Sequence, residues 1–334
     1  MKRLLDLRDL VGPAALLVAV GIVGSFMSES IGLQFRSALV TATIVMALYV
    51  FIGNSGVLSF GHVSFVAVGA FAAGLVSVPA ELKRSVSPEL FDFIADAKVD
   101  NWLSLVIAAL VGGVFALIVG VPLMRLSGLA AGIATFAVLE ISHNVLRNWP
   151  EVGPGAKTLS LVPETSTFWQ VTIGAVAVCG IAFIYQRSRY GRQLRATRED
   201  LAAARAAGIN VRRQRAIAFT ISGALAGFAG GLLVHLLGSI TTEQVYLDLT
   251  FTTLAMLIIG GMLSLWGAVI GALLISGLNS FLNELEKGIG DVDFPSGTRL
   301  VTIGAIMALI LLFRPRGVTG GREFSQVLSR RGSS

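Results

Sequence analysis

Ten mostly apolar stretches run through this chain, approximately 11–28, 37–53, 62–79, 102–121, 129–146, 167–186, 216–238, 248–263, 265–283 and 298–313. A helix needs about 20 such residues to cross the hydrocarbon core of a bilayer. Unpaired backbone is too costly in hydrocarbon, and the alternation of a membrane barrel is absent, so each stretch is expected to be an α-helix. The sequence therefore predicts an all-α polytopic membrane protein with about ten transmembrane helices. Only Ser264 separates the eighth and ninth stretches, which makes one of that pair a candidate half-span.

Composition agrees. Of the 334 residues, 54% are hydrophobic and 14% charged, and the mean hydropathy is +0.78. Soluble domains carry roughly 25% charged residues, so this chain has too little polar surface to fold in water. The opening MKRLLDLRDLVGPAALLVAVGIVG has the basic start and apolar run of a signal peptide. No small-residue cleavage site follows it, so it reads as a retained first helix. The single cysteine, Cys179, permits no intrachain disulfide and reads as a small packed hydrophobe.

Charge orients the spans. With the N-terminus inside, ten crossings put the segments near 54–61, 122–128, 187–215, 264 and 314–334 on the cytoplasmic side. Those segments and the N-terminus hold 18 of the 26 lysines and arginines, and 14 of the 20 acids fall outside. The lysine and arginine bias is what sets orientation, so both termini are expected in the cytoplasm. The net charge of +6 then follows from topology and does not imply nucleic acid. Outside, 80–101 is net acidic and its LFDFIA stretch could lie on the membrane surface as a short amphipathic helix. The outer segment 284–297 is acidic with a Pro/Gly end.

Small residues at four-residue spacing let helices approach closely in lipid. Gly223, Gly227 and Gly231 have that spacing in SGALAGFAGG, as do Gly267 and Gly271 in WGAVIGALL. These five are read as helix-packing positions in a closely packed bundle.

The search for catalytic constellations excludes more than it finds. GPGAKT, from Gly153 to Thr158, lacks the Gly-Lys step of a phosphate-binding loop and falls outside, away from cytoplasmic ATP. Glu140 and His143 have a ligand-like i, i+3 spacing, but no second such pair accompanies them and the chain has three histidines, so no metal centre is expected. Nothing points to an enzyme. As an acid within an apolar helix, Glu140 needs a cavity or a partner. TFAVLEISHNVLRNW adds Thr135, Ser142 and Asn144, so both a structural hydrogen bond and a pore lining are open readings of Glu140. His235 falls near the outer end of its span, where an interfacial position is expected.

Two segments break the apolar pattern. RSRYGRQLRATREDLAAARAAGINVRRQRAIAFTISG is the longest inside connection, with nine arginines between Arg187 and Arg215. Glu199 and Asp200 suit the start of a helix, LAAARAA is strongly helix-forming, and Gly208 suits its stop. Such a loop could anchor to anionic lipid or be gripped by a cytoplasmic partner. The other segment, NSGVLSFGHVSFVAVGAF, puts Asn54, Ser55, Gly56, Ser59, Gly61, His62 and Ser64 between two apolar runs. More polar residues gather here than a short turn requires. A helix junction at a gate and a packed polar turn both account for them.

GRQLRATREDLAAARAAGIN resembles the coupling loop of bacterial ABC-importer permeases, in the form found in LivM-like branched-chain amino-acid permeases. The general permease pattern is Glu-Ala-Ala, three residues, then Gly. Here Ala202, Ala203 and Ala204 precede Gly208, so the glutamate is absent. The segment GVLSFGHVSFVAVGAF is similar to the family's Gly-x-x-Ser-x-Gly-x-x-x-Phe-x-x-x-Gly-Ala-aromatic stretch at Gly56, Ser59, Gly61, Phe65, Gly69, Ala70 and Phe71. TFAVLEISHNVLRNW resembles the segment with an intramembrane glutamate at Glu140, Asn148 and Trp149. IGGMLSLWGAVIGALL resembles the late Gly-Gly…Trp-Gly-Pro…Gly-Ala segment, with Leu263 for a glycine and Ala268 for the proline. The likeness runs from about residue 37 to 313.

The resemblance implies an ABC-importer permease fold. Residues 1–36 would form a first helix and outer loop, 37–313 the permease bundle with its coupling loop at 187–215, and 314–334 a basic cytoplasmic tail. It also implies a homologous second permease, two cytoplasmic ATPases that bind ATP and Mg, and a periplasmic substrate-binding protein. Such a chain sits in the bacterial inner membrane and hydrolyses nothing itself. Arg198, Glu199, Asp200, Ala203, Ala204 and Gly208 would form the ATPase-coupling loop. Ser59, Gly61, His62, Glu140 and Asn144 would line the pathway or its gate. The cargo expected is a branched-chain amino acid; urea, short amides and other small solutes are alternatives, as is an ATP-independent secondary transporter.

Overall fold

A computed structural model describes residues 2–86, 89–92, 98–153, 155, 158–286, 298–314 and 316–324. Thirteen α-helices carry the described fold: α1 (Lys2–Ser25), α2 (Glu29–Ser55), α3 (His62–Ser77), α4 (Ala80–Val86), α5 (Asn101–Leu123), α6 (Leu129–Asn148), α7 (Phe168–Arg187), α8 (Arg189–Glu199), α9 (Leu201–Ala206), α10 (Val211–Leu237), α11 (Leu247–Gly260), α12 (Leu265–Glu286) and α13 (Thr298–Phe313). The only β pairing among the described residues is a single antiparallel bridge, Leu159 with Ile240.

Among the described residues, seven helices are long and apolar enough to cross a membrane: those over Arg8–Ser25, Glu29–Ser55, Asn101–Leu123, Leu129–Asn148, Phe168–Arg187, Val211–Leu237 and Leu265–Leu282. The other three apolar stretches form shorter helices, His62–Ser77, Leu247–Gly260 and Val301–Ile310. At 14 residues, α11 rises about 21 Å, short of a hydrocarbon core of about 30 Å. The eighth stretch is therefore the short member of the pair divided at Ser264. Residues 93–95 of the LFDFIA stretch and 287–297 of the outer segment 284–297 lie outside the described residues.

The core forms around α10, which packs on α5, α3 and α2. Its glycines explain the close approach. A Cβ at Gly227 would stand 2.4 Å from the Ala108 carbonyl oxygen on α5, and one at Gly230 would stand 2.1 Å from that of Val66 on α3. Gly223 and Gly231 leave room for the side chains of Ala116 and Leu105 of α5. A second glycine seam joins α11 to α12, where Gly267 and Gly271 abut Gly260, Gly261 and the Met256 carbonyl.

One end of the bundle gathers segments far apart in the chain. Arg198 donates to the Gly53 carbonyl at 2.6 Å and Arg215 to that of Leu126 at 3.2 Å. The segment after α13 returns to the same end. There Val318 and Thr319 donate backbone N–H groups to Ile259 and Gly260, and Glu323 accepts from the first N–H groups of α12, Leu265 and Trp266. At the opposite end lies His235. It is 1% exposed, with Ser104 2.8 Å from Nε2 and the Pro163 carbonyl 3.0 Å from Nδ1. His235 lies in the last turn of α10, the end of the span where the sequence put it, and its ring turns inward to the hydroxyls of Ser77 on α3 and Ser104 on α5.

Candidate functional site

Two polar constellations stand out from this apolar scaffold, one on α6 and one where the long inside connection meets α2. The first begins with α6 itself, which touches the rest of the chain sparsely, through α3 and α5. Ala131, Thr135, Val138, Leu139 and Ser142 face inward, whereas Glu140, Asn144 and Asn148 are exposed. Their four-residue spacing puts the three on one face of a helix.

On that face the Asn144 amide donates to both the Glu140 carbonyl (2.9 Å) and Glu140 Oε1 (2.8 Å), and the Asn148 amide donates to the Asn144 carbonyl at 3.0 Å. The loop before α11 contributes the rest. Tyr246 donates its phenol to Glu140 Oε2, and its ring stacks on His143 with centroids 3.9 Å apart. That bond to the carboxylate pushes the Tyr246 phenol above its ordinary pKa, since losing the proton would leave two anions face to face. Arg147 pairs with Glu243 at 2.9 Å.

Two cavities flank the face. A shallow groove of about 450 Å³ runs along Glu140, Ile141, Asn144, Val145, Asn148 and Trp149. An apolar cleft of about 510 Å³ shares Ile141, Val145 and Trp149 with it and reaches Val68, Phe71 and Ile107.

The second constellation joins the two segments that break the apolar pattern. Ser188 caps α8 through the Gly191 N–H. Asp200 turns the chain and caps α9, accepting from Ala202 (2.8 Å) and Ala203 (3.0 Å). Gly208 ends that turn at φ 78°, a conformation that favours glycine. Ala202, Ala203 and Arg205 to Gly208 are exposed, while Ala204 is buried. From the end of α8, Arg198 reaches to the C-terminus of α2, where its side chain lies over Gly56 and its guanidinium caps Gly53. Glu199 accepts from the same guanidinium at 2.7 Å.

Beyond Gly56 the polar stretch turns inward. Ser59 is 1% exposed, its hydroxyl 2.7 Å from His62 Nδ1. The His62 ring stacks on Phe51 and meets the edges of Phe65 and Phe219. Gly61 lies so close to α6 that a Cβ there would stand 2.2 Å from the Thr135 carbonyl oxygen. Ser59, Gly61 and His62 are thus brought together with Thr135, while Glu140 and Asn144 occupy the exposed face of the same helix. Sequence reasoning placed Glu140 and Asn144 together. It did not assign a role to Asn148, whose i+8 spacing from Glu140 was available, and it missed Tyr246 and Glu243, which lie more than 100 residues away. Among the described residues, no group of three or more His, Cys, Asp or Glu could hold a metal.

A helical membrane bundle with a polar face on a sparsely packed span and a capped corner at one end has the build of a polytopic transport subunit. Residues 31–311 match the family described as branched-chain amino acid transport system / permease component, and the chain belongs to that family. Relatives include the high-affinity branched-chain amino acid transport system permease protein LivM of Escherichia coli, 26% identical over 307 residues covering 82% of this chain. The chain spans 66% of the length of that relative. It is also 29% identical to the LivH permease protein of the same system in E. coli, over 168 residues covering 50% of this chain and 51% of LivH. No solved structure matches the chain.

Proposed function

We propose that this chain is the transmembrane permease subunit of an ATP-driven ABC importer in the bacterial inner membrane, carrying branched-chain amino acids from periplasm to cytoplasm by alternating access. The observation that carries the reading is the exposed polar face of α6, Glu140, Asn144 and Asn148, on a span otherwise apolar enough to cross the membrane. Polar groups at membrane depth face water or protein, not lipid, so this face belongs at the seam with a homologous second permease, where the path runs.

The end that holds 187–215 is then cytoplasmic, in line with its arginines, and both termini lie on that side. Its exposed corner, 200–208, is where one of the two ATPase subunits of the assembly docks, and those subunits hold the ATP and Mg. A periplasmic substrate-binding protein docks at the opposite end. Closure of the ATPases moves α9 and α8, and Arg198 passes the movement to α2 through Gly53.

The test is co-purification of the tagged chain in mild detergent, followed by reconstitution with the recovered partners. A second permease, two ATPases and ATP-dependent uptake of L-leucine are expected. Recovery of the chain alone, active without ATP, would overturn the reading.

A further inference from the structure

The hydrogen bonds on α6 have a consequence for the kind of cargo that this face accepts. A backbone carbonyl only accepts, so the amide nitrogens of Asn144 and Asn148, each bonded to the carbonyl four residues earlier, are fixed in orientation. Asn144 thus spends both amide hydrogens on Glu140, while Asn148 spends one on the Asn144 carbonyl and keeps the other. Both side chains line the groove, and each carries an amide oxygen able to accept.

Glu140 behaves alike. Oε1 takes one hydrogen from Asn144 and Oε2 one from Tyr246, which steadies the carboxylate and leaves each oxygen free to accept more. The face thus presents three acceptors in a row, four residues and about 6 Å apart along the axis, with a negative charge on the first. Arg147, the cation nearest this face on α6, is paired with Glu243. Beside the row, Ile141, Val145 and Trp149 open onto the apolar cleft.

We propose that Glu140, Asn144 and Asn148 form an acceptor ladder that binds the ammonium group of the cargo and hands it from rung to rung, while the shared wall of Ile141, Val145 and Trp149 takes the apolar side chain. The ladder rests on the reading of this face as the transport path. It favours an alkylammonium cargo, disfavours a carboxylate without an amino group, and selects by chemistry that the apolar cleft alone does not supply.

Two readouts separate the ladder from the importer. In the purified complex, without binding protein, binding of isopentylammonium and of 4-methylpentanoate is followed by tryptophan fluorescence and thermal shift; the probes share one branched chain and differ in head group. The ladder predicts saturable binding of the ammonium only. Glu140→Gln should weaken it about tenfold or more and Asn148→Leu severalfold, with Asn148→Asp restoring it, as expected when a hydrogen bond to a charged group is lost or regained. Equal binding of both probes, binding of neither, or Glu140→Gln and Asn148→Leu that both bind like the wild type would overturn the ladder. ATP-driven leucine uptake by the same wild-type preparation reports separately on the importer. Uptake intact with no head-group preference sinks the ladder alone, whereas ammonium preference without ATP-driven uptake upholds the ladder and sinks the importer.

Discussion

Two long helices, α10 and α6, are both apolar enough to cross a membrane, yet they meet their surroundings in opposite ways. Helix α10 is held on three sides: Gly227 and Gly230 face neighbouring backbones, and Gly223 and Gly231 face small or apolar side chains of α5. Helix α6 has few neighbours within the chain and exposes Glu140, Asn144 and Asn148. Hydropathy makes these two helices look alike. What separates them is where their non-apolar letters go: glycines inward at one, acceptors outward at the other. The first pattern builds a packed scaffold, and the second leaves a polar surface that the chain itself does not cover.

The largest effect should come from breaking the scaffold. At Gly227 any side chain meets the backbones of both Ala108 and Gly112, which cannot retreat without moving α5. Overpacking a core costs about 1–3 kcal/mol, and leucine here adds a backbone clash to that. Gly227→Leu is expected to abolish recovery of folded chain, read as the monodisperse peak in detergent size-exclusion chromatography. A wild-type peak would show that the α10–α5 seam can open freely.

Next in size is the link between the coupling corner and the bundle. Arg198→Ala removes a hydrogen bond from a charged donor, worth about 1.5–3 kcal/mol, or roughly ten- to a hundredfold in an equilibrium. The chain should still assemble, because the caps of α8 and α9 by Ser188 and Asp200 remain. ATP hydrolysis is expected to continue while leucine uptake falls by at least about tenfold. An unchanged ratio of uptake to hydrolysis would remove Arg198 from the route.

The same contrast explains what could be read from the sequence. Hydropathy marked the apolar stretches, since crossing hydrocarbon demands a composition. The α9 turn was legible because its devices are local: Asp200 caps it and Gly208 ends it. The row Glu140, Asn144 was legible as helical spacing. Tertiary partners were not. Nothing near Glu140 announces Tyr246, and nothing in the stretch around Ser59 says that His62 packs against Phe51, Phe65 and Phe219. The sequence marked one of the eighth and ninth stretches as a candidate half-span without saying which; α11 is the short one, since Gly261 takes φ 117° and the chain folds back on a glycine seam.

A milder change sharpens the α6 side of the comparison. Asn144 is exposed, and substitutions at such sites usually shift stability within about 0.5 kcal/mol. Asn144→Leu should therefore leave the melting temperature of the complex close to wild type while lowering leucine uptake severalfold. A large loss of stability with uptake per folded complex unchanged would make α6 a second scaffold helix.

The smallest expected effect concerns the tail. After α13 the chain returns to the α11–α12 turn, and Glu323 caps α12 while Phe324 packs edge-on against Trp266. Burial pushes the Glu323 carboxyl above its ordinary pKa, and the nearby Asp9 charge acts in the same direction. The docked state therefore favours the protonated acid. Its contribution is complete below the ordinary glutamate value and is lost as pH rises through the raised one. Trypsin cleavage at Arg316 and Arg322 should speed up as pH climbs from below the ordinary glutamate value through the raised one, once the enzyme's own pH dependence is divided out with a free peptide. Glu323→Gln keeps an acceptor without a charge, so its cleavage should stay slow across that range. Equal pH profiles for the two chains would mean that the α12 cap is held by the Thr319 and Phe324 contacts, with Glu323 contributing shape and no charge.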